Sequence, residues 1–249
     1  MSKQTLAVLQ DKLQEQLDDF PGLLKIPVEV KPLTTVEAIG DPGKWDYPLL
    51  RESEVLIQAS FRTGLGQAFT GVPRAFNGTL EDVFKLDLNE IGNRAILVAA
   101  INAVLREHGL IEKTIHCRDN EPVECGQQIA AQLHRQYGRV RVGIAGYQPA
   151  FIKAFTDLFG EKNLNVTDLS AKSIGTIFSG VEIWDGMTRT GQLIAESDLI
   201  LVTGSVLIND TAEPFLAAQK AGKPLYFYGT TITGPAYLLN LPHICLLGH

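Results

Sequence analysis

Asp198 to Thr211 reads DLILVTGSVLINDT. Its first half, Leu199-Ile200-Leu201-Val202, is an unbroken apolar run between turn formers. That is the pattern of a strand buried on both faces in the middle of a parallel sheet. The run stops at Thr203-Gly204-Ser205. A helix is predicted from Asp210, where Asp210 and Glu213 have capping-box spacing and Pro214 falls in the first turn. A central strand therefore delivers small hydroxyl residues and a glycine to its carboxyl end, the edge where open parallel sheets bind ligands. Two further segments repeat the pattern. Val140–Ala145 runs into Gly146-Tyr147-Gln148-Pro149, and Leu225–Tyr228 runs into Gly229-Thr230-Thr231. The three strands are predicted to be parallel neighbours with their carboxyl ends on one edge.

Working outward, strands at 140–145, 164–169, 199–203, 224–228 and 243–247 alternate with helical stretches from Arg139 onward, with an irregular segment before Asp198. Such alternation implies a parallel sheet with helices on its faces. Upstream, Leu6, Leu9, Leu13, Leu17 and Phe20 recur at helical spacing, predicting a helix over 3–20 that Pro21-Gly22 ends. Short β-like segments follow at Ile26–Leu33, Thr35–Ile39 and Val55–Phe61, with a turn at Asp41-Pro42-Gly43. Arg62–Thr79, RTGLGQAFTGVPRAFNGT, reads either as a functional loop or as a pair of hairpin turns. Thr79 and Asp82 are spaced to start a short helix, and Asp87 and Glu90 to cap a long one over Leu88–His108. Asn102 interrupts the apolar face of that long helix. It either satisfies backbone groups or faces a polar cavity. The segment 116–124 reads as a polar linker between domains 1–115 and 125–249, and Gly126–Tyr137 as a helix.

The 249 residues leave room for two domains, and 45% hydrophobic with 20% charged residues is ordinary for a globular chain. A net charge of −6 without a Lys/Arg cluster argues against a nucleic-acid partner. No apolar run approaches the roughly 20 residues of a membrane span. Three cysteines without a CxxC, and an N-terminus unlike a signal peptide, place the chain in the cytoplasm.

Motif chemistry is sparse. Gly143-Ile144-Ala145-Gly146-Tyr147 is a glycine turn but not GxGxxG, since Gln148 stands where a further glycine is needed. Free N–H groups at the following helix start would favour a carboxylate or phosphate. Asp168 ends the second strand, either as a ribose-binding acid or as a turn residue. Glu182 and Asp185 flank Trp184 and would take a cation or do acid–base work if they loop over the sheet edge; otherwise they lie in a solvated turn. His116, Cys117 and Cys125 form Cys-x7-Cys with an adjacent His, a poor match to zinc spacing, and Cys245 and His243 lie on the last strand.

Taken together, TGSVLINDT, GIAGYQP, GTTITGPA, AFTGVPRAFNGTL and AAINAVL resemble the heavy-metal chelation family of uncharacterised prokaryotic proteins. The resemblance implies an α/β chain: an N-terminal α+β domain similar to that of enolase, then a Rossmann-like domain. It also implies a site at the domain interface with a role in metal handling or chelate chemistry. Thr203, Gly204, Ser205, Asn209 and Thr211 match the family's threonine-glycine-serine strand end, and Gly146 with Tyr147 its first glycine turn. Gly229 and Thr230 replace its glycine-proline-serine turn, losing the proline. With Gly64, Gln67 and Thr70 as the opposite wall, these residues are the candidate ligand-binding set. The expected ligand is a small anion or a metal chelate in the interdomain cleft, with a divalent metal as the implied cofactor and Glu182 and Asp185 as the acidic pair nearest to metal chemistry. A nucleotide-cofactor enzyme and a non-catalytic sensor are the other readings. A homo-oligomer is compatible with all of them.

Overall fold

A computed structural model describes residues 2–17, 21–41 and 54–249. In chain order the elements are α1 (Ser2–Leu17), β1 (Pro27–Pro32), α2 (Thr35–Ile39), β2 (Val55–Phe61), β3 (Gly64–Thr70), β4 (Phe76–Thr79), α3 (Leu80–Phe84) and α4 (Ile91–Glu107). There follow α5 (Glu121–Tyr137), β5 (Val142–Ala145), α6 (Pro149–Phe159), β6 (Leu164–Asp168), β7 (Ile177–Phe178), β8 (Val181–Asp185) and α7 (Gly186–Glu196). The chain continues through β9 (Leu199–Thr203), α8 (Ser205–Ile208), α9 (Glu213–Lys220), β10 (Leu225–Tyr228), α10 (Thr233–Leu239) and β11 (His243–Ile244). The turn expected at Pro42-Gly43 and the helix end at Phe20 lie outside the described residues.

The chain is α/β, with two sheets. The first is antiparallel, in the order β3-β2-β1-β4. The second runs β11-β10-β9-β5-β6-β8-β7, parallel except for the β7–β8 pair. Counted from its first strand, its parallel part has the order 3-2-1-4-5-6, that of a doubly wound sheet. β10, β9 and β5 are adjacent and parallel, as the strand pattern predicts.

The apolar run of β9 shows why the sheet is covered on both sides. Side chains alternate across a strand. Ile200 and Val202 join the core shared with α1 and α4, while Leu199 and Leu201 join the core under α5 and α6. The first of these cores continues without a break from Leu6 through α4 to Leu238. Helix α4 is buried on all sides from Gly92 to Leu105, because it packs on β2 and β3 and also on α8 and α10. Arg94, 4% exposed near its start, donates from Nε to Ile208 O and from Nη1 to Leu88 O and Asn89 O.

Several local expectations are corrected. Thr35–Ile39 is helix α2, because Thr34 and Glu37 form a capping box that outweighs the β-like composition. The glycine-rich segment is not one long loop and is nearer to the hairpin alternative: Arg62-Thr63 turns β2 into β3 (Gly64–Thr70), which pairs with β2 along its length, and residues 71–75 lead irregularly into β4. The glycines of β3 let the strand press on α4, and a Cβ on Gly64 or Gly66 would overlap the α4 backbone. The Asp210–Glu213 box does not form. Asp210 adopts φ +62°, a short helix α8 precedes it, and α9 starts at Glu213 with Pro214 in its first turn. Glu90 makes no side-chain cap for α4, whereas the Thr79–Asp82 box does form and starts α3. The irregular segment before Asp198 contains the β7–β8 hairpin and α7. The segment read as a linker is in part helix, since α5 begins at Glu121.

Two glycines give a direct check on this packing. Gly66→Ala forces a methyl into the α4 backbone and is expected to cost about 3 kcal/mol or more, as overpacked cores do. Gly191, inside α7, has open space around the position of a Cβ. Gly191→Ala is expected to raise stability by about 0.5–1 kcal/mol. Urea denaturation of both variants reads the opposite signs.

Candidate functional site

Strand β5 sits where the chain reverses its direction of travel across the sheet. β6 and β8 lie on one side of it, β9, β10 and β11 on the other. Ligands in such sheets bind in the crevice at this switch point, outside the carboxyl ends of the strands. A cavity of about 470 Å³ occupies that place, a volume within the range of small-molecule sites. Ala145, Gly146, Tyr147 and Gln148 line it after β5, and Thr203, Gly204 and Ser205 after β9. Tyr228, Gly229 and Thr230 line it after β10, Asp168 at the end of β6, and Asn209 and Thr211 beyond α8. All the candidate residues from the parallel sheet thus meet at one cavity. Gly146 is needed for its backbone: at φ +106° a Cβ would lie 2.8 Å from Thr203 Cγ2.

The opposite wall differs from the expectation. Gly64, Gln67 and Thr70 do not line the cavity; Phe69 and Gly71 do, with Ile39, Glu54 and Ile91. Gly64 is spent on the contact with α4. Gln67 braces the following segment, its Oε1 accepting from His116 N at 2.8 Å and its Nε2 donating to Gln58 Oε1 at 2.9 Å. Thr70 Oγ1 accepts from Val72 N at 3.1 Å. The segment read as a linker contributes instead, since His116, Cys117 and Cys125 line the cavity together with Cys245. The signal for them in the sequence was a histidine and two cysteines inside an otherwise polar stretch. Nothing in the pattern marks Glu54, which follows a run of charged residues.

Asn102 proves to be a structural junction rather than a group facing the cavity. It is 0% exposed, and its Nδ2 donates to Gln67 O at 2.9 Å, Thr230 O at 3.1 Å and Thr231 O at 3.3 Å. Its Oδ1 accepts from Gly234 N at 2.7 Å.

The protein itself engages two of the N–H groups at the helix start after Gly146. Tyr147 N donates to Asp168 Oδ2 at 2.6 Å, Phe151 N to Gln148 Oε1 at 2.7 Å, and Pro149 has no N–H. Those two N–H groups are therefore not free for a carboxylate or phosphate. Asp168 also accepts from Ser170 N at 2.7 Å, so it closes its own turn. Burial pushes its carboxyl up, against the lowering effect of those N–H groups.

Half-buried Glu54 is pushed up to about 7, first by burial and then by the charge of Asp168. The Tyr228 hydroxyl, raised by burial and by both carboxylates, donates to Ala145 O at 3.3 Å. Among the described residues no Lys or Arg lines the cavity. Burial lowers His116 to about 4, so its ring is neutral at pH 7. Burial also raises the thiols of Cys117 and Cys245, the latter to about 11, which keeps them protonated.

A bare metal ion does not fit this donor set. Among the described residues no three His, Cys, Asp or Glu side chains are grouped to hold one. Glu182 and Asp185 are not in the cavity. They lie on β8, where Asp185 caps α7 by accepting from Met187 N at 2.8 Å and Glu182 sits exposed opposite Ile177. The structure gives them roles in secondary structure because β8 extends the sheet instead of looping over it. Trp184 is covered by Arg189, whose guanidinium carbon stands 3.5 Å from the ring centroid.

Two outcomes follow. Asn102→Ala strands several buried backbone groups, each worth about 1–3 kcal/mol when left unpaired. A loss of at least about 3 kcal/mol in urea denaturation is expected, with Asn102→Asp losing at least as much at neutral pH, since its carboxylate can only accept and would face the carbonyls of Gln67, Thr230 and Thr231. Glu54 binds its proton more tightly in the folded than in the unfolded chain. Its effect on stability is therefore absent at low pH and unfavourable as pH rises from about 4.5 through about 7. Glu54→Gln should be more stable than the parent at about pH 8, with the gap closing toward about pH 5.

No family model matches the chain, and no curated protein matches it. Among solved structures, the chain is similar to a protein of unknown function from the DUF364 family of Pyrococcus horikoshii. The TM-score is 0.54 at 19% identity, over 91% of this chain and 79% of that one. It is also similar to a DUF364 protein of unknown function from Desulfitobacterium hafniense DCB-2. There the TM-score is 0.50 at 15% identity, over 74% of this chain and 72% of that one. These likenesses show the α/β fold. No helix among the described residues is long and apolar enough to cross a membrane.

Proposed function

We propose that the protein binds a compact small molecule in this cavity, with hydrogen-bonding oxygens of the ligand against the turns that carry Ser205 and Thr230. One observation carries the reading. Thr230 lines the cavity and is 1% exposed, yet its hydroxyl has no hydrogen-bond partner among the described residues. A buried hydroxyl left unpaired costs stability and calls for a partner from outside the chain. Ser205, 5% exposed, lines the same cavity, and its hydroxyl makes a long 3.4 Å contact with Thr203 Oγ1.

A simple anion is the weaker form of this reading, because the lining has no cationic side chain among the described residues and Tyr147 N already donates to Asp168. A metal chelate is the stronger one. It brings its own ligands, so the protein need not supply a three-donor group, and its oxygens suit neutral hydroxyl partners. The resemblance to the heavy-metal chelation family points the same way. A nucleotide cofactor is the second reading, favoured by the strand order of the sheet. Against it stands the N–H of Tyr147, which donates to Asp168 where a pyrophosphate would need it.

A thermal-shift screen against pyridine nucleotides, pterins, tetrapyrroles and divalent-metal chelates separates the two, since binding raises apparent stability by mass action. Thr230→Val keeps the shape and removes the hydroxyl. In the free protein it should hold or raise stability, by up to about 1–3 kcal/mol. It should weaken binding of any hit about tenfold or more. A loss of stability in the free variant, or unchanged binding, would falsify the reading.

A further inference from the structure

We infer that the end of the cavity at Glu54 and Asp168 receives a positive charge carried by the ligand, as an ammonium group or as the metal of a chelate. The inference rests on the proposed small-molecule site and names its charge requirement. Both carboxyl groups line the same cavity, Glu54 from the segment before β2 and Asp168 from the end of β6. Among the described residues no Lys or Arg joins them there, and neither carboxylate has an ion pair. Glu54 rises toward neutrality first because it is buried and then because Asp168 lies beside it.

Aromatic surface completes the environment. Phe151 stacks on Tyr228 at 4.8 Å, and Phe69 meets His116 edge-on at 5.1 Å, all four lining the cavity. Carboxylates beside aromatic rings favour a cation and repel an anion. The unpartnered Thr230 hydroxyl marks the far end independently. Asp168 and Thr230 follow β6 and β10, three strand spacings apart, or roughly 14 Å. The ligand is thus read as two-ended, with acceptor oxygens toward Thr230 and positive charge toward Glu54.

The test uses the whole chain near pH 8 and named probes read by ligand-observed NMR. The ammonium arm compares 4-(aminomethyl)benzoate with 4-methylbenzoate. The chelate arm compares zinc citrate with citrate. In at least one arm the probe that carries the ammonium group or the metal should bind about tenfold or more tightly than its partner, and Glu54→Gln should remove most of that preference. The arm that responds identifies the source of the charge. If the partners that lack the ammonium group or the metal bind equally well, Glu54→Gln changes nothing and Thr230→Val still weakens all probes, the charge inference fails and the cavity reading stands. If no probe binds, both fail.

Discussion

The Asn102 amide joins three segments that are far apart in sequence: β3 through Gln67 O, the turn after β10 through Thr230 O and Thr231 O, and the start of α10 through Gly234 N. An amide at 0% exposure in a helix surrounded by apolar residues is stable only when its donors and acceptor are satisfied together. Glycines make the room. A Cβ on Gly66 would lie 2.6 Å from Asn102 Cβ, and one on Gly234 would lie 2.7 Å from Asn102 Oδ1. Phe69 N adds a direct bond from β3 to Thr231 Oγ1 at 3.1 Å. The antiparallel sheet is thereby held at a fixed distance from the edge of the parallel sheet, and the cavity is the space left between them.

That junction explains what the sequence could and could not show. The buried strands were legible because a parallel sheet covered on both faces demands continuous apolar runs, and Leu199–Thr203 matches in both its bounds. The small residues after β5, β9 and β10 were legible for the same reason, since each follows directly from its strand. β3 was not legible, because its glycines answer to the surface of α4, a partner remote in sequence. Gln67 reads as a site residue only until its bond to His116 N is seen. Glu54, His116 and Cys117 reach the cavity through tertiary packing alone, and local spacing carries no trace of that. Glu182 and Asp185 lie away from the cavity for the opposite reason: a short edge hairpin, too brief to leave a clear alternation, absorbed them.

The cavity is unusual in where its polarity lies. Its floor offers hydroxyl groups and its far end two carboxyl groups, while its thiols and its histidine are neutral because burial disfavours their charged forms. Among the described residues the lining carries carboxyl groups but no metal-binding cluster. The doubly wound strand order alone would have pointed to a nucleotide. Fold does not fix function, however, and the engaged N–H of Tyr147 separates this site from that analogy.

The most direct measurement is a set of crystal structures of the protein soaked in small organic solvents such as acetonitrile and isopropanol. The account predicts that the solvent molecules gather in the space between Asp168 and Thr230, with a hydroxyl or nitrile against Thr230. A crystal structure in which protein side chains fill that space, or in which the solvents cluster on another surface and leave this edge empty, would contradict it.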